Sequence, residues 1–281
     1  MQKKHTIMRL KHVTDTASAL LAFKAAAGSI PFAEEVAAHF GIESPAAPQQ
    51  DFGFWASVLH FEMRYRSLDY FLEKTAAPTV LELSAGFSLR GLDYARKHPD
   101  ASYIDTDLPA IISQKSEMLR TMQQAVPQNL QLQPLDVLHA ESYPESSGEL
   151  AIINEGLLLY FDDAAKKQIL QHIRRLLERQ GGTWTTADIY IRHETQAVGS
   201  DRDGRWNDFF RKNNVHANYF ESFDHAGQFF YDQGFRVLEK YPPEFDKYSS
   251  LPKLLAAATG EQLELLKSRG KVQETWQLGL R

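Results

Sequence analysis

Hydrophobic and polar positions change their rhythm near residue 76. Before it, apolar residues recur at helical spacing: Ala19, Leu20, Phe23 and Ala27 fall near one face. Pro31, with Glu34 and Glu35 behind it, suits the positive start of a second helix, and Gly41 suits its end. Residues 43–50, with two Pro and two Gln, read as a connector. A long helix is then predicted from about Asp51 to Lys74, its Phe54, Leu59, Phe61, Leu68 and Phe71 spread widely enough to be covered on more than one side. From Thr79 onward short β-rich runs alternate with helical segments. Strands are predicted at 79–83, 102–105, 130–135, 150–154, 183–188, 235–241 and 272–278. Helices fall between them at 89–97, 108–124, 164–179, 223–233 and 251–267. This βα alternation implies a mostly parallel sheet with right-handed crossovers and helices on both faces. The last two strands suit an antiparallel pair at one edge. Residues 192–222 are polar and aromatic without a clear period, an insertion that in a compact domain is usually functional.

The chain of 281 residues is long enough to bury a full core. Its net charge of −5 and lack of a basic cluster argue against nucleic acid as the main partner. There is no Cys, hence no disulfide, thiolate metal site or Cys nucleophile, which fits a reducing, cytoplasmic setting. Basic residues between Lys3 and Lys11, followed by the small apolar run of Ala17 to Ala27, superficially match a signal peptide. The N-cap signature Thr14-Asp15-Thr16 and the interrupting Lys24 favour an amphipathic helix instead. No apolar run reaches the ~20 residues that span a bilayer, so no membrane partner is expected.

Candidate chemistry concentrates between Thr79 and Lys115. Strand, small-residue turn (Ser84-Ala85-Gly86), helix, strand and acidic pair (Asp105, Asp107) follow one another as in sheets that hold the nucleoside of a cofactor. The dinucleotide pattern G-x-G-x-x-G is incomplete, since only Gly86 and Gly91 are present. S-adenosylmethionine has no pyrophosphate to accommodate, and Glu82 in the first strand suits its cationic sulfonium. A βαβ unit with a Gly that merely allows tight packing is the plainer alternative.

Four motifs, in order, carry a family resemblance. Glu82-Leu83-Ser84-Ala85-Gly86-Phe87-Ser88-Leu89-Arg90 resembles the E-L-G-x-G-x-D-T-R motif of the leucine carboxyl methyltransferase family, which includes polyketide O-methyltransferase-like members. Asp107-Leu108-Pro109 with Lys115 is similar to its D-x-P…K segment. Asn154-Glu155-Gly156-Leu157-Leu158-Leu159-Tyr160-Phe161 is similar to A-E-G-L-L-x-Y-L, and Arg64-Tyr65-Arg66-Ser67-Leu68-Asp69 to R-x-R-x-x-D. Together they cover roughly residues 60–190. Ser84 stands where the family has Gly, Ser88 where it has Asp, and Leu89 where it has Thr.

The resemblance implies a Rossmann-like class I methyltransferase fold: a mostly parallel seven-stranded α/β sheet over 76–281 with an N-terminal helical cap over 1–75. It implies S-adenosylmethionine as cofactor and O-methylation of a carboxylate or hydroxyl on a small molecule or peptide. Gly86 would let the methionine part approach. Asp107 would take the ribose hydroxyls, with Asp105 as local competitor. Asp136 would take the adenine amino group beside Val137. Glu155 would lie near the cofactor's amino acid part, and Arg64, or Arg66 as alternate, would bind its carboxylate. A carboxylate acceptor needs no base; a hydroxyl acceptor does. Tyr160, Asp188, His193 and His216 are the candidates; Tyr160, the catalytic choice among them, suits lining the pocket better than acting as base. No metal motif is present, so metal independence is expected. Residues 192–222, with Trp206, Phe209, Phe210, Tyr219 and Phe220 and with Arg202, Arg205 and Arg211, would together with the N-terminal helices form a lid that chooses the acceptor. A homo-oligomer interface is the competing reading of that stretch. A nicotinamide-dependent oxidoreductase and a degenerate binding module are the competing functions.

Overall fold

The computed structural model describes residues 20–43, 50–144, 148–192 and 215–281. A helix over 20–27 (α1) is followed by α2 (Ala33–His39) and α3 (Phe52–Lys74). Then come β1 (Thr79–Leu83), α4 (Arg90–Lys97), β2 (Ser102–Asp107), α5 (Pro109–Thr121), β3 (Leu130–Pro134), β4 (Leu150–Asn154), α6 (Asp163–Gln180) and β5 (Gly182–Tyr190). The chain continues through α7 (Phe223–Asp232), β6 (Phe235–Lys240), α8 (Leu251–Ala257), α9 (Gly260–Arg269) and β7 (Gln273–Leu280).

The seven strands form one sheet in the order β3-β2-β1-β4-β5-β7-β6. β3, β2, β1, β4 and β5 are parallel, and β7 runs antiparallel to both β5 and β6. All five residues of β1 and all five of β4 are buried. A parallel strand covered on both faces must be apolar nearly throughout, which is why these runs show no alternation in sequence. Leu81, Leu83, Ile152, Ile173, Trp184 and Trp276 belong to the core beneath α6 and α7. Gly91 sets how close α4 lies to β2: a Cβ there would come within 2.8 Å of the Tyr103 ring.

Of the shifts from the expected boundaries, two change the picture. β2 runs on from residue 105 to Asp107, so Asp107 is the last strand residue. The single helix expected over 251–267 is two helices, because Thr259 accepts from the Gln262 N–H and starts a new one with a reciprocal capping box.

The chain divides into two compact units, and the division does not follow a cut at 75/76. One holds the described residues up to Met63 together with 244–270; the other holds the remaining described residues from Arg64. Glu62 explains why the later segment joins the first unit. Its buried carboxylate accepts from Ser29 Oγ at 2.6 Å, Ser249 N–H at 2.8 Å and Ser250 N–H at 2.9 Å, binding the chain before α8 to α3. Residues from Arg64 on face a different set of partners, those of the sheet.

Candidate active site

Sheet order places the site. From β1 the chain winds outward through β2 and β3, then returns to begin β4 on the other side of β1. Ligands of open α/β sheets sit where the winding reverses, at the carboxyl ends of the strands. The register aligns these ends: Glu82 pairs with Asp105, Leu83 with Asn154, and Asp107 with Pro134.

After β1 the chain turns through two left-handed residues, Ser84 at φ 56° and Gly86 at φ 56°. Gly adopts this conformation freely, whereas for Ser it costs roughly 1–2 kcal/mol. The turn closes against β2. Ala85 N–H donates to Thr106 O at 2.9 Å, and Gly86 N–H donates to Asp107 Oδ2 at 2.8 Å. Ser88 N–H returns to Ala85 O at 3.1 Å, and Ser88 Oγ accepts the Arg90 N–H at 3.3 Å at the start of α4. Thus the N–H groups of Ala85, Gly86 and Ser88 are committed inside the protein. Beyond its chain neighbours, no atom of the described residues lies within 4 Å of where a Gly86 Cβ would point, so among them this face of the turn is open.

Asp107 also accepts the Leu108 N–H at 2.7 Å on Oδ1. Burial raises its carboxyl above the usual range, while the Gly86 and Leu108 N–H groups oppose the rise. Each oxygen keeps acceptor capacity, and the residue is only partly buried. Asp105 is different. It is enclosed with the ammonium of Lys115 from α5, and its acid is raised by burial against that cation's pull. Of the two acids, only Asp107 presents itself at the strand ends.

Asp136, beyond β3, accepts the Leu138 N–H at 3.0 Å and lies 3.1 Å from His139 Nδ1, with its side chain 40% exposed. Val137 beside it is buried, its carbonyl accepting the Tyr143 hydroxyl at 3.0 Å.

Three residues expected to face a ligand are each held by partners within the protein. Glu82 is buried, accepting the Tyr103 hydroxyl at 2.7 Å and lying 3.5 Å from Arg90 Nε. Arg64 is buried; its Nη1 donates to the Tyr190 hydroxyl at 2.9 Å, and its Nη2 lies 3.6 Å from Glu155 and 3.8 Å from Asp188. Burial alone would lower its pKa; Tyr190, Glu155 and Asp188 together raise it. Glu155 is spanned by both arginines, Arg90 Nη2 reaching Oε2 at 3.0 Å. The physical reason is common to all three. A charge in the interior requires opposite charge or several hydrogen bonds, and this sequence supplies both within the chain.

Arg90 is the hub that the sequence reading did not single out. Only 2% exposed, it donates to Asp69 at 3.0 Å, to Tyr65 O at 3.3 Å and to Glu155, and it stacks 3.8 Å over the Tyr65 ring. Its place directly after the β1 turn was the available signal.

Asp188, expected as a possible base, accepts four hydrogen bonds from within the chain. Asn154 Nδ2 and the N–H groups of Gly156 and Leu157 each donate at 2.7 Å, and the Leu158 N–H at 3.0 Å. Tyr160 exposes 36% of its surface, and burial of its phenol pushes it up to about 12. Tyr190 stacks on Tyr219 at 5.1 Å, and His216 meets the Tyr219 ring edge-on at 5.2 Å. Burial lowers the His216 imidazole. Trp206, Phe209, Phe210, Arg202, Arg205, Arg211 and His193 lie outside the described residues, as does most of the expected lid. Among the described residues no group of three His, Asp or Glu is arranged to hold a metal, and no helix is long and apolar enough to cross a membrane.

No protein-family model matches the chain, and no curated protein matches it in sequence. Solved structures match it in fold. The crystal structure of LaPhzM aligns over 81% of this chain with TM-score 0.50 and 14% identity. The chain has the Rossmann-like class I methyltransferase fold. Mitomycin 7-O-methyltransferase MmcR aligns over 80% with TM-score 0.49 and 13% identity. The O-methyltransferase NcsB1 of neocarzinostatin biosynthesis, solved with S-adenosyl-L-homocysteine and 1,4-dihydroxy-2-naphthoic acid, aligns over 73% with TM-score 0.45 and 14% identity. This chain spans 58%, 57% and 49% of the lengths of those three proteins.

Proposed function

We propose that the chain is an S-adenosylmethionine-dependent methyltransferase that methylates oxygen, a carboxylate or hydroxyl, on a small molecule or peptide. The observation that carries the reading is Asp107: a carboxylate at the end of β2, fixed by the Gly86 N–H, with acceptor capacity remaining beside the open face of the turn. An acceptor-only group in that position suits the hydroxyls of a ribose.

The turn also separates this reading from a nicotinamide dinucleotide. A pyrophosphate needs free backbone N–H groups at the first turn. Here Ala85, Gly86 and Ser88 have spent theirs on Thr106, Asp107 and Ala85. A ligand without phosphates asks nothing of them.

When bound, S-adenosylmethionine supplies a methyl group already activated on a sulfonium. The chain's task is then to hold and orient the reactants and exclude water. Asp107 would hold the ribose, and Asp136 with Val137 the adenine. Glu155 would face the amino acid part while braced by Arg64 and Arg90. Tyr160 stays protonated near neutral pH and serves as a hydrogen-bond donor lining the acceptor side. His216, kept neutral by burial, is the described residue best suited to take a proton from a hydroxyl acceptor.

The motifs of Asp107-Leu108-Pro109 and Asn154 to Phe161 support placing the chain beside the leucine carboxyl methyltransferase branch. Its net charge of −5 supports an enzyme without a nucleic-acid partner, and its lack of Cys a reducing, cytoplasmic setting. Thermal shift tests the reading. S-adenosylhomocysteine is expected to raise the melting temperature and NAD to leave it unchanged. Stabilisation by NAD alone would give the site to an oxidoreductase, and stabilisation by neither would remove the cofactor.

A further inference from the structure

Three successive backbone N–H groups, those of Gly156, Leu157 and Leu158, converge on one carboxylate, Asp188. Such a run of N–H groups is an anion-binding nest. In this chain the anion is built in, brought from the neighbouring strand. Asp188 lies near the end of β5, fully buried, and its Oδ2 also accepts from Asn154, the last residue of β4. Asn154 in turn is gripped from three sides, by Asp188, Thr186 Oγ1 at 3.0 Å and Trp184 Nε1 at 2.8 Å.

The nest brackets Glu155. The residue before Glu155 and the three after it are all tied to Asp188, which fixes the chain on both sides of Glu155. Gly156 takes φ 77° to make the turn, and a Cβ there would sit 3.2 Å from Arg64 Nη2. Arg64, 3.8 Å from Asp188 Oδ1 and 3.6 Å from Glu155 Oε1, spans the two acids. Further along the same loop, Tyr160 follows Leu158 and Leu159.

We infer that Asp188 is a positioning residue for cofactor binding: filling the nest after β4, it sets the loop that aims Glu155. Its carboxylate receives four donors from within the chain, three of them on Oδ2, which suits holding the loop rather than acting as a general base. The inference rests on the proposed S-adenosylmethionine site. It concerns how that site is held rather than what it binds.

Asp188→Asn keeps the shape but turns one oxygen into an N–H₂ that meets N–H donors. Calorimetric titration with S-adenosylhomocysteine is expected to show affinity about tenfold weaker, as a displaced contact group produces. Thr186→Val serves as the control for stability alone. It removes a buried acceptor shared by Asn154 and the Asp188 N–H but leaves the Asp188 carboxylate and the three N–H groups of the nest in place, so it is expected to lower the melting temperature and leave the affinity unchanged. Equal affinity for parent and Asp188→Asn, or an equal loss in Thr186→Val, would overturn the inference. If Asp188→Asn fails to fold, Asn154→Ala removes one of the four donors. A weaker affinity with unchanged far-UV circular dichroism then supports the inference, and an unchanged affinity overturns it. A parent chain that binds no S-adenosylhomocysteine would instead sink the functional reading and this inference with it.

Discussion

Asp107 Oδ2 accepts the Gly86 N–H at 2.8 Å, closing the end of β2 over the turn that follows β1. The contact holds an acid and an open turn side by side, and it depends on a left-handed Gly86. Gly86→Ala is expected to cost roughly 1–2 kcal/mol in urea unfolding, from the backbone alone, since none of the described residues crowds the new methyl. That methyl also projects onto the open face. Affinity for S-adenosylhomocysteine should therefore fall by more than the stability change explains. A variant with full affinity would show that the ligand does not approach this face.

Arg90 holds Glu82, Asp69 and Glu155 together, 2% exposed. Arg90→Met is expected to destabilise the chain by about 3–5 kcal/mol, because removing one partner leaves buried carboxylates uncompensated. Arg90→Lys should recover only part of the loss, as an ammonium cannot reproduce the planar fork or the stack over Tyr65. Denaturant midpoints at constant m-value measure both. A loss under about 1 kcal/mol in Arg90→Met would mean that the network is not what secures α4.

Asp69 gives the network a pH signature. Burial pushes its carboxyl from the ordinary 3.8 up to about 6, with Arg90 and Arg66 holding it back. A folded value above the unfolded one means that folding takes up a proton. The associated stability is complete below the unfolded value and is lost as pH rises through about 6. Asp69→Asn cannot titrate. The stability of the parent minus that of Asp69→Asn should therefore decline between about pH 4 and pH 7. A difference that is flat, or that grows with pH, would contradict the assignment.

The strands were legible because buried parallel strands leave an apolar run that no helix period explains, as in Val80-Leu81 and Leu150-Ala151-Ile152-Ile153. Gly86 and Asp107 were legible from a spacing that βαβ geometry imposes. Arg64, Glu82 and Glu155 were found as residues of interest, but sequence could not show that they face one another. Their pairing depends on α3, α4 and the β4 loop converging after folding. Arg90 carried no role of its own in sequence, and Asp188 stood among the candidate bases, because the three N–H groups that donate to it come from an adjacent strand's loop. Glu62 was not legible in sequence, because two of its serine donors, Ser249 and Ser250, lie about 187 residues further on.

Calorimetric titration of the parent chain and of Asp107→Ala with S-adenosylhomocysteine tests the central claim most directly. The parent should bind, NAD should not compete, and Asp107→Ala should bind about tenfold or more weakly, as loss of hydrogen bonds to a charged acceptor predicts. Equal affinity in the two proteins, or displacement by NAD, would contradict a ribose held by Asp107 at the end of β2.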